Sequence, residues 1–182
     1  MGLFDADKTW SLFLDRDGVI NVRKMNGYIL TVDEFQFLPH VSESIAYFST
    51  VFHHIFVVTN QQGISKGLMT ERNLLEIHDY MCVQIEEKGG KISSCYFAPE
   101  LKTELNSLRK PNPGMAMLAK SDFPEVDFEK SIMVGDTDSD IKFGKNLGMK
   151  TVRIKTVEPI GINADLTVES LKELMDLWER EI

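Results

Sequence analysis

Short apolar runs alternate along this chain with longer segments in which apolar residues recur every three or four positions. The runs at 10–14, 55–58, 94–97, 131–134 and 151–154 have the length and the β-branched or aromatic content of strands. Between them the spacing predicts helices. Residues 41–50 set Val41, Ile45 and Phe48 on one face. Thr70 is placed to cap a long helix reaching about 88, with Leu74, Leu75, Ile77, His78, Met81, Cys82 and Ile85 as its apolar stripe. Gly89-Gly90 stops it. Pro113 suits the first turn of a helix running to 120. Residues 138–147 read as helical, with Gly148 as a left-handed stop. Thr167 is expected to cap a last helix that carries Leu171, Leu174, Met175 and Trp178.

Strands alternating with helices predict an α/β fold, a central parallel sheet flanked by helices and joined by right-handed crossovers. The sequence has no repeat, low-complexity stretch or linker, so 1–182 is expected to form a single domain. Residues 19–54 have room for one loop and one helix, and 61–109 for one helix, one strand and one loop. No large insertion fits, and the walls of any pocket should be the loops 21–38, 61–69 and 99–109.

Composition narrows the functional classes. A chain of 182 residues buries roughly 70% of its unfolded surface and needs no disulfide or metal staple. No apolar stretch approaches the length of a membrane span, and the start lacks a signal-peptide pattern. A cytoplasmic protein that acts as a monomer, without a membrane partner, is expected. The net charge of −8 argues against a nucleic-acid partner, since Arg23 and Lys24 alone do not make a basic face. Cys82 and Cys95 read as reduced thiols, Cys82 within a helical stripe. His40, His53, His54 and His78 show no ligand spacing.

The candidate chemistry lies where the apolar runs end. The first run stops at Asp15-Arg16-Asp17-Gly18. Two carboxylates beside a buried strand cost several kcal/mol unless they are paired, and a hard cation such as Mg²⁺ is the usual partner. Gly18 lets the chain turn sharply past them. The second run stops at Thr59-Asn60, and the fourth at Gly135-Asp136-Thr137-Asp138-Ser139-Asp140. Arg109-Lys110-Pro111-Asn112-Pro113-Gly114 lies between. Taken singly, a strand-end Asp is a turn starter, a strand-end Thr satisfies local backbone, and a Lys is a solvated charge. Taken together they converge, because parallel sheets bind ligands outside the carboxyl ends of their strands.

The order and chemistry of these four groups resemble the haloacid-dehalogenase superfamily of phosphotransferases over residues 10–154. The resemblance implies a Rossmann-like fold without a substantial cap domain. Three further stretches sharpen it: Phe13 to Asn21, Asn26-Gly27-Tyr28-Ile29 with Phe35-Gln36-Phe37-Leu38, and Thr59 to Gly67. With Arg109 to Met115 they are similar to the histidinol-phosphate / heptose-bisphosphate phosphatase family. The resemblance implies a phosphomonoester hydrolase acting on a small phosphorylated metabolite, with Asp15 as nucleophile and Asp17 as general acid and base. Thr59 and the Asn60 amide would hold the phosphoryl group, and Lys110 would neutralise charge. Mg²⁺ would bind Asp15, the Asp17 carbonyl and Asp136, with Asp140 orienting Lys110 or a bound water. Asp138 reads as a helix cap rather than a ligand. Asn21, Asn60, Gln61, Gly63, Ile64, Lys66 and Arg109 would meet the substrate. Lys66 stands where the family commonly has Arg, and Lys lacks the bidentate fork.

Heptose bisphosphate is the expected substrate, with histidinol phosphate as the alternative. A polynucleotide 3′-phosphate fits the acidic balance less well. A phospho-aspartate switch domain would lack the second Asp and would not place its acceptor on the first strand. Relatives often hold the loop before the Arg-Lys-Pro motif with a structural zinc. Here Cys95 stands at the first ligand position, followed by Phe97, Asn106 and Leu108, which cannot complete a Cys/His site. No structural zinc is expected, and the loop 99–108 should be held by packing through Phe97, Leu101 and Leu105.

Overall fold

The computed structural model describes residues 3–103 and 108–180. Six strands, β1 (Ser11–Leu14), β2 (His54–Asn60), β3 (Ser94–Ala98), β4 (Ser131–Gly135), β5 (Lys150–Ile154) and β6 (Leu166–Val168), form one sheet. All neighbours are parallel, in the order β3-β2-β1-β4-β5-β6. Among the described residues five α-helices accompany them: α1 (Val41–Val51), α2 (Glu71–Glu86), α3 (Gly114–Asp122), α4 (Asp138–Asn146) and α5 (Leu171–Arg180).

The continuous apolar runs follow from burial on both faces. Leu12, Leu14, Ile55, Val57, Ile132 and Val134 point into one core with α1, α2 and α5. Phe13, Phe56, Val58 and Met133 alternate to the other face, where α3 and α4 pack through Met115, Ala119 and Phe143. On α2, Thr70 caps as expected: its Oγ1 accepts from Asn73 N at 3.1 Å, and Asn73 Oδ1 accepts from Thr70 N at 2.9 Å. Leu75, assigned to the apolar stripe, is instead exposed on the solvent side of that helix.

Two expectations near the C-terminus are corrected. Thr167 is not a cap; it lies in β6, paired in register with Arg153 of β5. β6 has three residues and one buried side chain, Val168, too few to show a period of two. The last helix is capped by Ser170, whose Oγ accepts from Glu173 N at 3.1 Å.

The strand order reverses direction around β1, with β2 on one side and β4 on the other. Leu14 is level with both Val57 and Val134, so the chain leaves β1, β2 and β4 at similar heights. This is the switch point where open α/β sheets form a crevice. The β1–β2 connection holds a loop, a 3₁₀ turn at Val32–Glu34 and α1, and only α2 with its flanking loops joins β2 to β3. No helix among the described residues is long and apolar enough to cross a membrane.

Candidate active site

Asp15 continues the β1 ladder by one residue, donating its N–H to Val134 O at 2.9 Å. Its carboxylate meets Lys110, whose Nζ lies 2.8 Å from Asp15 Oδ1, 2.7 Å from Asp140 Oδ1 and 2.7 Å from Val58 O. An ammonium has three protons, and all three are used. Burial works against the charge on Lys110, but Asp140 and Asp15 outweigh it and hold its pKa above the ordinary lysine value. Asn60 fixes the Lys110 backbone from both sides, accepting from its N–H at 2.9 Å and donating to its carbonyl at 3.3 Å.

Carboxylate oxygens of Asp15, Asp136 and Asp140 lie within 4.8 Å of one another. Burial pushes the Asp15 carboxyl up to about 8 against the pull of Lys110, with Asp140 and Asp136 adding to the rise. Burial, then Asp140, lifts Asp136 to about 6. Asp140 is held below its usual value because Lys110 outweighs its burial. One ammonium does not neutralise three carboxylates. Arg23 contributes a second cation, its Nη1 3.0 Å from Asp136 Oδ2. The other oxygen, Asp136 Oδ1, is buried without a hydrogen-bond partner. That excess of buried, hard oxygen fits a divalent cation. Gly18 belongs to the same arrangement. It has φ +92°, and a Cβ there would fall 2.3 Å from Asp136 Oδ2, so only glycine lets the turn approach this carboxylate.

Asp17 is held as a carboxylate. Arg16 Nη2 lies 3.0 Å from both of its oxygens. Asn21 Nδ2 donates to Oδ1 at 2.9 Å and Gln61 Nε2 to Oδ2 at 2.8 Å. Burial raises the Asp17 pKa, but Arg16 and the two amides outweigh it and leave it low. Arg16 is fully buried, and its Nη1 meets Nε2 of His78 at 3.4 Å. Burial first, then the Arg16 charge, pushes the His78 pKa down to about 3. The imidazole is neutral and accepts from Arg16.

The crevice between these groups is lined by Asp15, Asp17, Thr59, Asn60, Lys110, Asp136 and Asp140, with Arg23, Tyr28, Gln62 and Arg109 toward its mouth. Eight expected residues therefore line it: Asp15, Asp17, Thr59, Asn60, Arg109, Lys110, Asp136 and Asp140. The remaining substrate positions differ. Asn21 and Gln61 are buried behind Asp17 and spend their amides on it. Gln61 Nε2 also donates to Thr59 Oγ1 at 2.9 Å, leaving the Thr59 proton to be donated elsewhere. Ile64 packs against the larger core, Gly63 backs the Tyr28 ring, and Lys66 donates to the Tyr28 hydroxyl. Burial lowers the pKa of half-buried Arg109, against Tyr28 and Glu100.

Asp138 is not the cap of α4. Thr137 holds that position, with Asp140 Oδ2 accepting from its N–H at 2.9 Å and its hydroxyl at 2.7 Å. Asp138 instead takes Arg153 Nη2 at 2.6 Å and Gly161 N at 2.9 Å, tying the β5–β6 loop to the site. Arg16, Arg23, Tyr28 and Gln62 were not singled out by the sequence pattern. The charge of Arg16 at the end of a buried run was one signal, and Tyr28 and Gln62 stand within the stretches that carry the resemblance. In β3, ahead of the 99–108 loop, Cys95 Sγ faces Cys82 Sγ of α2 at 4.0 Å, and within the loop Glu100 Oε1 accepts from Leu108 N at 3.2 Å. Leu105 and Asn106 lie outside the described residues.

Comparison with known proteins agrees with this geometry. Residues 107–174 match a family model described as HAD-hydrolase-like. The chain is 33% identical over 174 residues to the D-glycero-alpha-D-manno-heptose-1,7-bisphosphate 7-phosphatase of Campylobacter jejuni, covering 96% of this chain and 98% of the relative. It is 33% identical over 178 residues to the D-glycero-beta-D-manno-heptose-1,7-bisphosphate 7-phosphatase of Pasteurella multocida, covering 92% and 95%. A solved D,D-heptose 1,7-bisphosphate phosphatase from B. bronchiseptica, complexed with magnesium and phosphate, superposes with a TM-score of 0.86. It is 25% identical and covers 95% of this chain and 99% of that one.

Proposed function

This chain is a phosphatase of the heptose-1,7-bisphosphate phosphatase family, within the haloacid-dehalogenase superfamily, and from that membership we propose that it removes the 7-phosphate of a D-glycero-D-manno-heptose 1,7-bisphosphate. The observation that carries the chemistry is the buried Lys110 between Asp15 and Asp140, with Asp136 beside them. We assign Asp15 as nucleophile, Asp17 as general acid and base, Thr59 and the Asn60 amide as phosphoryl donors, and Lys110 as the charge partner.

In the first step a carboxylate oxygen of Asp15 attacks phosphorus and the P–O bond to the sugar breaks. The departing alkoxide takes a proton from Asp17. Resting Asp17 is ionised, and a phosphate dianion arriving beside it works against Arg16 and raises its proton affinity by like charge, so Asp17 takes up one solvent proton as the substrate binds, and the second step returns that proton to it. In the second step Asp17 takes a proton from water, the water oxygen attacks phosphorus, and the Asp15 carboxylate departs, releasing inorganic phosphate. Lys110 stays charged through both steps and needs no reorganisation, because Asp140 fixes it from behind. Thr59 donates its remaining proton to a phosphoryl oxygen.

Asp15, Asp136 and the Asp17 carbonyl would hold Mg²⁺, which supplies charge neutralisation and polarises the phosphoryl oxygen when bound. The superposing B. bronchiseptica enzyme is complexed with that ion. No structural zinc is proposed. Residues 1–182 are proposed to act as one domain, as a monomer and in the cytoplasm. Steady-state assays at matched concentration test the substrate: kcat/KM should be higher for heptose 1,7-bisphosphate than for histidinol phosphate. The reverse ranking would reassign the chain to histidinol phosphate.

A further inference from the structure

Cys82 on α2 and Cys95 on β3 are half-buried free thiols whose sulfurs share one hydrogen bond at 4.0 Å. The pair ionises unequally. The hydrogen bond from Cys95 lowers the Cys82 pKa against burial and the carboxylates of Glu86 and Asp79. The same bond, then burial, raises that of Cys95. Cys82 is therefore the nucleophilic thiolate, and Cys95 keeps its proton.

The two sulfurs also bracket His78. Cys82 follows it by one turn of α2, on the same face of the helix. Cys95 shares a face of β3 with Phe97, whose ring meets the His78 ring edge-on at 6.4 Å. His78 Nε2 in turn accepts from Arg16, which holds both oxygens of Asp17. β3 is anchored by its ladder to β2, with Cys95 level with Val57 and Phe97 level with Thr59. A disulfide is about 2.05 Å long, so the sulfurs must close by roughly half their separation. The helix is the side free to move.

Resting on Asp17 as the acid and base, we propose that Cys82 and Cys95 form a dithiol oxidised by hydroperoxides, whose disulfide slows turnover through His78 and Arg16. First the Cys82 sulfur attacks a peroxide oxygen. An S–O bond forms, the O–O bond breaks, and the departing oxygen leaves as water or an alcohol with the proton that Cys82 gave up. The Cys95 sulfur then attacks the sulfenic sulfur. The S–S bond forms, the S–O bond breaks, and hydroxide leaves with the Cys95 proton as water. Two electrons pass from the sulfurs to the peroxide, and a thiol reductant reverses the change. Closing the disulfide draws the His78 turn of α2 toward β3 and loosens the hold of Arg16 on Asp17.

The test uses the full chain with Mg²⁺, reduced or treated with a small excess of hydrogen peroxide. Turnover is read on whichever phosphomonoester of a panel the reduced enzyme hydrolyses fastest. Peptide mass spectrometry should find the peptides of Cys82 and Cys95 linked, with the loss of two hydrogens. kcat should fall about tenfold at unchanged KM, since misplacement by about 1 Å costs up to ~10²-fold, and dithiothreitol should restore it. Cys82→Ser and Cys95→Ser should each keep the reduced rate and resist peroxide. His78→Leu, which removes the acceptor for Arg16, should start slower and lose less than about twofold more on oxidation. Free thiols after treatment, a disulfide without loss of kcat, an equal loss in Cys82→Ser, or the full loss in His78→Leu would each overturn the proposal. A reduced Asp17→Asn enzyme with wild-type kcat would instead refute the role of Asp17, and the disulfide and its effect on kcat would be judged by the same criteria.

Discussion

Lys110→Met removes one charge and keeps most of the side-chain volume, so no large cavity confuses the outcome. In the folded protein it leaves Asp15 and Asp140 facing each other where an ammonium had stood 2.8 Å from one and 2.7 Å from the other. It also leaves Val58 O without its donor. Breaking a buried pair by removing one partner costs about 3–5 kcal/mol. For a domain of this size that corresponds to a fall in Tm of roughly 6–20 °C. The rate should fall separately, by on the order of 10²-fold or more, as when a preorganised donor is lost from a transition state. The two losses are separable by adding Asp140→Asn. That change removes the unpaired second carboxylate and should recover part of the stability, but it does not return a cation to the nucleophile and should not recover kcat. Thermal unfolding and phenyl phosphate turnover at saturating Mg²⁺ measure the two. A few-fold change in kcat, or an unchanged Tm, would mean that Lys110 does not carry the charge balance described here.

His78 gives a pH prediction of definite sign. Its pKa is near 3 when folded and 6.5 when unfolded, so the unfolded chain binds the extra proton between those values. The stability associated with the neutral imidazole is fully present above pH 6.5 and is lost as pH falls toward 3, by up to ~1.4 kcal/mol per pH unit. Urea unfolding of wild type and His78→Gln between pH 7 and 5 should show a shallower pH slope for the variant, and identical slopes would contradict a buried neutral His78. For the 99–108 loop, metal analysis of the purified protein should find substoichiometric zinc. One tightly bound zinc per chain, lost on Cys95→Ser, would refute the proposed metal-free loop.

The parts of the site that sequence reveals are those fixed by topology. Asp15, Thr59 and Asp136 each follow an apolar run, and a parallel sheet brings the ends of such runs to one side whatever their separation along the chain. Lys110 was legible from its motif, although no strand ends there. Side-chain direction in loops is another matter, because no periodicity encodes it. Arg23 reaches Asp136 across 113 positions, and nothing local marks that pairing. Asn21 and Gln61 are polar residues beside a catalytic motif, a pattern equally compatible with holding the substrate and with holding Asp17. Thr137 and Asp138 are adjacent residues that both suit an N-cap. The extended backbone of Thr137, φ −113° and ψ 163°, decides between them, and it becomes visible only in the folded chain.

Covalent catalysis through Asp15 is the claim on which the rest depends. Asp17→Asn should slow hydrolysis of the acyl phosphate, since no carboxylate remains to take the proton from water. Acetyl phosphate needs little acid assistance to leave, so with this substrate the first step should still proceed and the intermediate should accumulate. Acid quenching followed by peptide mass spectrometry tests this directly. The account predicts one phosphoryl group on the peptide that carries Asp15, and none when Asp15→Asn is added. An unlabelled peptide, or label on any other residue, would contradict it.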